Sequence, residues 1–237
     1  MKKHELVEKL NLDLEENDLL EHPFYKAWIR GQLSREDLQN YACHYYPQIA
    51  AFPAHLSALH SRLPDGETRR AVLRNLADEE INGVCHSDLW LDFAEGMGMD
   101  RDIVRMLPVN PYVRDVMDVL EALVVTPASA FTALYAYEAR TPRIAEAKAK
   151  GLREFYGADS KTCRYFDLHR EADLEHSRVW IEQVENLLDR EPESALTALA
   201  AAKVVGRALS DMLDGFEHER QEGIERISRV NPKTWRN

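Results

Sequence analysis

The sequence predicts an all-α protein, a helical bundle of about seven to nine helices that forms one domain over residues 1–237. Three observations lead to this prediction. Apolar residues recur at helical spacing, β-strand signals are nearly missing, and no stretch is rich enough in glycine, serine and proline to link two domains. The only β-branched cluster, at residues 124–126, is too short for a sheet. An apolar fraction of 45% is ordinary for globular proteins and excludes a disordered chain.

The first long helix is predicted from residue 35 to about residue 62. Ser34 is a favourable N-cap, and Glu36 and Asp37 place negative charge in the first turn, where the helix dipole stabilises it. Pro47 and Pro53 fall inside this segment. We expect them to kink the helix rather than end it, because the apolar spacing continues past both. The apolar residues at steps of three and four are Leu38, Tyr41, Tyr45, Ile49, Phe52, Leu56 and Leu59.

Glycine and proline mark the ends and beginnings of the later helices. A second helix is predicted from about residue 67 into the nineties, and a turn with Gly96 and Gly98 follows it. Proline directly follows Asn110, Thr126 and Thr141, which is the favoured first-turn position for proline in three helices. The remaining predicted helices cover residues 101–107, 110–125, 126–140, 141–156, 160–189 and 192–222.

Charge and cysteine content exclude several classes of protein. The chain carries 41 acidic and 30 basic residues, a formal net charge of −11, and such a chain repels duplex nucleic acid. No apolar run is long enough to cross a bilayer, and charges occupy the N-terminal segment where a signal peptide needs apolar residues. The three cysteines are far apart and form no CxxC pair, which argues against a disulfide framework. We therefore expect a cytoplasmic protein with no nucleic-acid or membrane partner.

One predicted helix carries a stripe of residues that commonly bind metals. His169, Asp173 and His176 are spaced by four and three, so they lie along one face over about two turns. Phe166 and Trp180 flank the stripe, which indicates that it faces the core. Three polar groups on a buried face are costly unless a divalent metal compensates them. The alternative is an exposed polar face, because charged residues lie nearby in the sequence.

Two further segments supply the same kinds of side chain. Glu79 and His86 are seven residues apart, which predicts that they share one helix face two turns apart. Glu138 follows Phe131 and Leu134 in an otherwise apolar helix, so its carboxyl must be paired, protonated or bound to metal. The candidate ligands on three predicted helices are Glu79, His86, Glu138, His169, Asp173 and His176.

This set of three carboxylates and three imidazoles favours a dinuclear iron or manganese site. Helical bundles build such sites from carboxylates that bridge two ions and histidines that complete each one. Structural zinc sites use closed sets of thiolates or imidazoles instead. We expect Glu79 and Glu138 to be the bridging carboxylates.

Two stretches of the chain resemble a known family. The segment HPFYKAWIRGQL, at residues 22–33, resembles the first helix of haem-oxygenase-like folds, the superfamily of thiaminase II and pyrroloquinoline-quinone synthase. The pattern E-x6-H…E…H-x3-D-x2-H resembles the haem-oxygenase-like dimetal oxidases. The narrower resemblance, over nearly the whole chain, is to the chlamydial protein associating with death domains and its bacterial relatives. Proteins of that family are self-sacrificing 4-aminobenzoate synthases that supply folate biosynthesis.

The resemblance implies roles for residues outside the metal pattern. Tyr25 would be the sacrificed tyrosine, Lys148 the amine donor, and Tyr137 and Tyr165 auxiliary redox tyrosines. It also implies a dinuclear Fe/Fe or Fe/Mn centre, dioxygen and an external reductant, no external organic substrate, and a homodimer. Without the resemblance, Tyr25 would be a half-buried tyrosine with a hydrogen bond, Tyr137 and Tyr165 would be ordinary core aromatics, and Lys148 would be a solvated helical lysine.

Two other functions fit the same sequence. The first is a dimetal oxidase of this fold that acts on an external amino acid, amine or fatty acid, and only Tyr25 and Lys148 separate it from the self-sacrificing enzyme. The second is a metal-free interaction module in which the polar stripe has no ligand. A thiaminase-like hydrolase is disfavoured, because no cysteine lies between Cys85 and Cys163 to serve as the nucleophile. The remaining candidate histidines, expected to be structural or exposed, are His22, His44, His55 and His60.

Overall fold

The computed structural model describes the backbone of residues 3–230 and the side chains of residues 3–225, and it is helical with no strand in this part of the chain. The all-α prediction is therefore confirmed. The helices are α1 (Lys3–Glu16), α2 (Pro23–Ile29), α3 (Arg35–Arg62), α4 (Glu67–Glu80), α5 (His86–Gly96), α6 (Arg101–Met106), α7 (Pro111–Leu123), α8 (Pro127–Glu138), α9 (Thr141–Phe155), α10 (Ser160–Arg190) and α11 (Ala195–Val230).

Local sequence signals account for most helix ends. Ser34 and Asp37 form a reciprocal capping box at the start of α3, and Pro47 and Pro53 lie within that helix. The side chains of Asn110 and Thr126 cap α7 and α8, each of which has proline in its first turn. These ends agree with the sequence prediction because capping depends only on neighbouring residues.

The predicted helix from residue 67 into the nineties is two helices, and this corrects the placement of two candidate ligands. Helix α4 ends at Glu80, and α5 begins at His86 after a turn in which Gly83 has a φ of +104°. Glycine adopts this left-handed conformation without the steric cost of a Cβ atom. The prediction that Glu79 and His86 share one helix face is therefore wrong. This split, together with α1 and the short helix α2, brings the helices above the expected seven to nine.

Helix α10 runs through the middle of the bundle and packs against α5, α8 and α9, while α11 packs against α7 and α8. One buried apolar cluster contains residues from both ends of the bundle, from Leu6 on α1 to Phe216 on α11. Such continuity is what the single-domain prediction requires. No helix in the described part of the chain combines the length and the apolar character needed to span a membrane.

The contact between α5 and α10 depends on a glycine. A Cβ atom at Gly96 would lie 2.1 Å from Oγ1 of Thr162, so any larger residue would force the two helices apart. The Thr162 hydroxyl is held by Asp159, the N-cap of α10. This close approach fixes the relative position of two helices that carry candidate ligands.

Candidate metal centre

The first group of candidate ligands consists of Glu79, His86 and His169. Each residue offers one ligand atom, and these atoms all lie within 4.8 Å of one another. Glu79 is on the last turn of α4, His86 is the first residue of α5, and His169 is on α10. All three are at most 4% exposed. The turn between α4 and α5 thus brings together two residues that a single helix would not have placed in this way.

The second group consists of Glu138, Asp173 and His176, whose ligand atoms also lie within 4.8 Å of one another. Glu138 is the last residue of α8, and the other two are three residues apart on α10. Their exposed fractions are 1%, 3% and 5%. Because His169 precedes Asp173 by one turn of α10, the two groups lie side by side in the bundle.

The histidines are oriented so that each keeps one nitrogen for a ligand. Nδ1 of His169 lies 2.8 Å from the backbone oxygen of Tyr165, which leaves Nε2 free. Nε2 of His176 lies 3.2 Å from Oδ2 of Asp78, and its Nδ1 lies 3.3 Å from Oδ1 of Asp173, the other candidate ligand on α10. A backbone or carboxylate oxygen that holds the second nitrogen of an imidazole is the usual support for a metal-binding histidine.

The carboxylates show the same one-sided arrangement. Oε2 of Glu138 accepts a hydrogen bond from the Trp180 indole, whereas its buried Oε1 has no partner among the described residues. Oε2 of Glu79 lies 2.8 Å from Nδ1 of His86, yet this nitrogen forms no hydrogen bond because the atoms are poorly aligned. Buried polar atoms that converge without bonding one another fit a site for cations. The donor set of carboxylates and imidazoles suits iron or manganese.

Electrostatics favour positive charge in this site. Burial raises the pKa of Glu138 well above its usual value, and the nearby carboxylates of Asp173 and Glu79 raise it further. Burial alone would lower the pKa of His176, but Asp173 and Glu138 outweigh it and raise that pKa to about 10. The site without metal therefore holds protons that bound cations would displace.

Lys148 and Tyr25 meet in the interior beside this centre. Nζ of Lys148 donates hydrogen bonds to the Tyr25 hydroxyl at 3.0 Å and to the Tyr41 hydroxyl at 2.7 Å. The lysine is only 5% exposed, and burial lowers its pKa well below the usual value. Burial also raises the pKa of Tyr25. Burial thus favours the uncharged forms of the Lys148 amine and the Tyr25 phenol, which face each other at hydrogen-bond distance.

Aromatic rings connect this pair to the ligands. The Tyr165 ring stacks on His169 with centroids 4.0 Å apart and meets the edge of Trp90 at 4.8 Å. The ring centroids of Trp90 and Tyr41 are 5.8 Å apart, and the Tyr41 hydroxyl is 3.2 Å from the Tyr25 hydroxyl. Successive contacts thus run from a candidate ligand to Tyr25.

Tyr137 lies on a second branch of aromatic residues. Its hydroxyl is 2.8 Å from that of Tyr45, and its ring stacks on Phe52 with centroids 5.1 Å apart. Tyr45 in turn stacks on Tyr41 with centroids 5.4 Å apart. This branch therefore also reaches the residues around Lys148.

A cavity of about 70 Å³ joins the two regions. Its lining includes Tyr25 and Lys148 on one side and Glu138, His169 and Asp173 on the other. Tyr137 and Tyr165 also line it. The cavity is smaller than the 300–1,000 Å³ that is typical of small-molecule pockets.

Sequence reasoning missed several residues that complete the site. Tyr41 and Trp90 gave no functional signal in the sequence, because buried aromatic residues on helices usually only pack in the core. Trp180 was treated as a flanking core residue, although it donates to Glu138. Asp78 gave a signal, as an acid next to a candidate ligand, but only the folded chain places it beside His176.

Two of the histidines that were expected to be structural or exposed, His22 and His55, have different surroundings. Nδ1 of His22 accepts a hydrogen bond from the backbone N–H of Phe24 and so caps α2. His55 is buried and its pKa is lowered by that burial. Neither belongs to the two ligand groups found among the described residues.

Comparisons with known proteins point to one family. A family model described as iron-containing redox enzyme, of haem-oxygenase type, matches residues 39–209. A 4-aminobenzoate synthase of Chlamydia pneumoniae is 36% identical over 89% of this chain and 94% of its own length. A 4-aminobenzoate synthase of Nitrosomonas europaea is 34% identical over 87% of this chain and 88% of its own length. The crystal structure of a CADD-like protein from Nostoc punctiforme superimposes with a TM-score of 0.76 at 15% identity, covering 92% of this chain and 98% of that one.

Proposed function

This chain belongs to the haem-oxygenase-like family of iron-containing redox enzymes, and from that premise we propose that it makes 4-aminobenzoate from its own Tyr25. The Cα–Cβ bond of Tyr25 breaks, and dioxygen oxidises the former Cβ atom to the carboxylate. The Cε–Nζ bond of Lys148 breaks so that its nitrogen replaces the phenol oxygen on the ring, and that oxygen leaves as water. The observation that carries the proposal is the buried contact of 3.0 Å between Nζ of Lys148 and the Tyr25 hydroxyl. An amine in that position is next to the ring carbon that must exchange oxygen for nitrogen.

We assign the two ligand groups to a dinuclear Fe/Fe or Fe/Mn centre. Oε1 of Glu138 supports this assignment, since it is buried without a hydrogen-bond partner among the described residues, and such an atom is costly unless a cation lies beside it. When bound, such a metal pair supplies dioxygen activation and removes electrons from nearby phenols, with an external reductant restoring the reduced ions. The six ligands would be Glu79, His86, Glu138, His169, Asp173 and His176.

The aromatic contacts give the tyrosines their roles. Tyr165 stacks on His169, and contacts continue through Trp90 and Tyr41 to Tyr25. Burial raises the pKa of Tyr165 well above its usual value, so this phenol keeps its proton until an electron leaves. Tyr137 donates to or accepts from Tyr45 and would exchange its proton within that pair.

Lys148 acts as a nucleophile because its amine is neutral. Its Nζ contacts two phenols and lies over the rings of Tyr25 and Tyr41, at 4.3 Å and 4.6 Å from their centroids. An ammonium ion has no lone pair with which to attack a ring carbon, whereas a neutral amine does. Burial, which lowers the pKa of this lysine, therefore prepares it for the reaction.

The size of the cavity supports self-sacrifice over an external substrate. An engineered cavity of about 150 Å³ in a well-studied protein interior binds benzene, and the space here is about 70 Å³. Dioxygen is small enough for this space, whereas an amino acid or a fatty acid is not. A reaction whose aromatic substrate is already part of the wall needs no larger pocket.

Intact-mass spectrometry of the purified protein tests the proposal. Protein loaded with iron and manganese is exposed to air and a reductant. Each chain should lose the mass of one tyrosine side chain from the peptide that contains Tyr25, and the peptide that contains Lys148 should lose its side-chain nitrogen. Protein built with isotopically labelled tyrosine should yield labelled 4-aminobenzoate, at most one molecule per chain. Tyr25→Phe should abolish product and leave metal binding intact, while Tyr112→Phe, outside the cavity lining, should change neither.

An external-substrate oxidase gives the opposite results. It would complete many turnovers per chain, leave the protein mass unchanged and yield unlabelled product. Any of these outcomes would overturn the self-sacrificing function.

We also propose that the enzyme works as a homodimer in the reducing cytoplasm. Cys43, Cys85 and Cys163 are all free thiols, as a reducing compartment requires. Light scattering after size-exclusion chromatography would report the mass of the assembly directly.

A further inference from the structure

Arg140 is a buried cation whose guanidinium is only partly satisfied. Its side chain is 5% exposed, and it lies just after α8 in the wall of the cavity. Nε donates to the backbone oxygen of Ala136 at 3.2 Å, and Nη1 donates to that of Asn17 at 2.6 Å. Nη2 has no hydrogen-bond partner among the described residues, and Oδ2 of Asp13 is 3.9 Å away. Two N–H groups of a buried cation are therefore left for a ligand.

The guanidinium lies between two separate spaces. The small cavity is on one side, and a surface cleft of about 580 Å³ is on the other. Leu19 lines both spaces. Gly206 lines the cleft, and a Cβ atom at this position would lie 3.1 Å from Nη2 of Arg140. Because glycine has no side chain, no Cβ atom at this position stands against Nη2.

We propose that Arg140 binds the carboxylate of an aromatic acid at this partition, with the ring of the acid in the cleft of about 580 Å³, after the acid has left the cavity. The inference rests on the proposed function for the identity of that acid, 4-aminobenzoate. A carboxylate is the group that a guanidinium N–H pair binds most strongly, through charge-assisted hydrogen bonds. The sacrificed tyrosine carries no charge, so the need for a cation arises only when the carboxylate forms.

The charges around Arg140 set the balance for an anion. The cleft wall carries two cations that attract an acid, Lys203 and Arg207. It also carries four carboxylates that repel one, as does the net charge of −11, and these are Asp13, Glu16, Asp18 and Asp211. Asp13 and Asp18 lie near the guanidinium, and neither hydrogen-bonds to it. Asp18 is instead paired with Arg143 at 2.9 Å. Asp13 is thus the nearby charge that competes with a bound carboxylate.

Calorimetric titration of the full-length, unreacted protein under anaerobic conditions tests this inference. Benzoate and 4-aminobenzoate should bind, and aniline, which lacks the carboxylate, should bind at least roughly tenfold more weakly. Arg140→Gln should weaken benzoate binding by roughly tenfold or more, because the charge and the paired donors are lost. Arg114→Gln is the matched control, an exposed arginine on α7 that lines neither the cavity nor the cleft, and it should change the affinity by less than about twofold.

Two further variants separate binding from folding. Arg140→Gln removes hydrogen bonds that hold Asn17, so the variant has a structural cost of its own. Gly206→Ala keeps the arginine and its bonds but places a methyl group against Nη2, and it should also weaken benzoate binding. Asp13→Asn should tighten binding, because the competing charge is gone. A purely structural ion pair between Arg140 and Asp13 predicts instead that Asp13→Asn lowers stability and leaves benzoate affinity unchanged.

The inference is overturned if aniline binds as well as benzoate, if wild-type protein binds neither acid, or if Arg114→Gln costs as much affinity as Arg140→Gln. These measurements precede any oxidation, so they are independent of the fate of Tyr25. If the protein mass stays unchanged and benzoate binding depends on Arg140, the proposed function is overturned and the carboxylate site is still supported. Loss of the tyrosine side chain without such binding would do the reverse.

Discussion

Replacing Lys148 by methionine should change how the stability of the protein depends on pH. The lysine is buried against two phenols, and burial lowers its pKa well below 10.5 in the folded state. The unfolded chain binds a proton at this residue up to its ordinary pKa. Between the two pKa values the unfolded state therefore holds one more proton, so the contribution of Lys148 to the unfolding free energy becomes more favourable as pH rises.

The size of the effect follows from proton linkage. One extra proton in the unfolded state changes the unfolding free energy by about 1.4 kcal/mol per pH unit. Lys148→Met removes this slope, so the stability difference between the two proteins should change by that amount per unit across the window. For a chain of this length, 1 kcal/mol corresponds to about 2–4 °C in Tm. Relative to wild type, the unfolding free energy of Lys148→Met should be most favourable at the acidic end of this pH window.

Urea unfolding of metal-free protein at a series of pH values measures the slope. The matched control is Lys150→Met, since Lys150 is exposed on the same helix two residues later. Its curve should run parallel to that of wild type. If Lys148→Met also runs parallel to wild type, the amine is protonated in the folded state and cannot serve as the nucleophile without a separate base.

Three other changes test the metal site and the packing that positions it. Asp173→Ala should reduce bound metal measured by plasma mass spectrometry and abolish the rise in Tm on adding Fe(II), which for ligand at 100 times Kd is worth about 2.7 kcal/mol per site. Trp180→Phe removes the donor to Oε2 of Glu138 and should weaken metal binding by about 10- to 100-fold in a competition assay with a chelator, while unchanged affinity would show that the indole does not support the ligand. Gly96→Ala should lower the unfolding free energy by about 1–3 kcal/mol in urea, because its methyl group meets the Thr162 side chain, and an unaltered midpoint would mean that α5 and α10 separate easily.

The sequence predicted the fold class and the ligand types because both depend on local spacing. His169, Asp173 and His176 share a face of α10, as a helical period requires. Glu79 and His86 were predicted to be near each other for the wrong reason, since the periodic apolar pattern concealed the turn at Gly83. The contact between the Tyr41 hydroxyl and the Lys148 amine could not be predicted from the sequence. Periodicity shows which face of a helix is buried, but it does not show which atom of another helix that face meets.

Two pairs of candidate ligands should differ in how much the number of residues between them can vary during evolution. His169 and Asp173 are both on α10, whereas Glu79 and His86 lie on opposite sides of the turn at Gly83. His169 and Asp173 lie on one continuous helix, where each residue adds a rise of 1.5 Å and a rotation of 100°. An insertion or deletion between them would swing one ligand group to another side of α10. Glu79 and His86 belong to different helices whose positions are held by packing, and exposed turns such as the one between them accept changes of length. Natural length variation is thus expected between α4 and α5, whereas the three-residue interval within α10 should be invariant among active relatives.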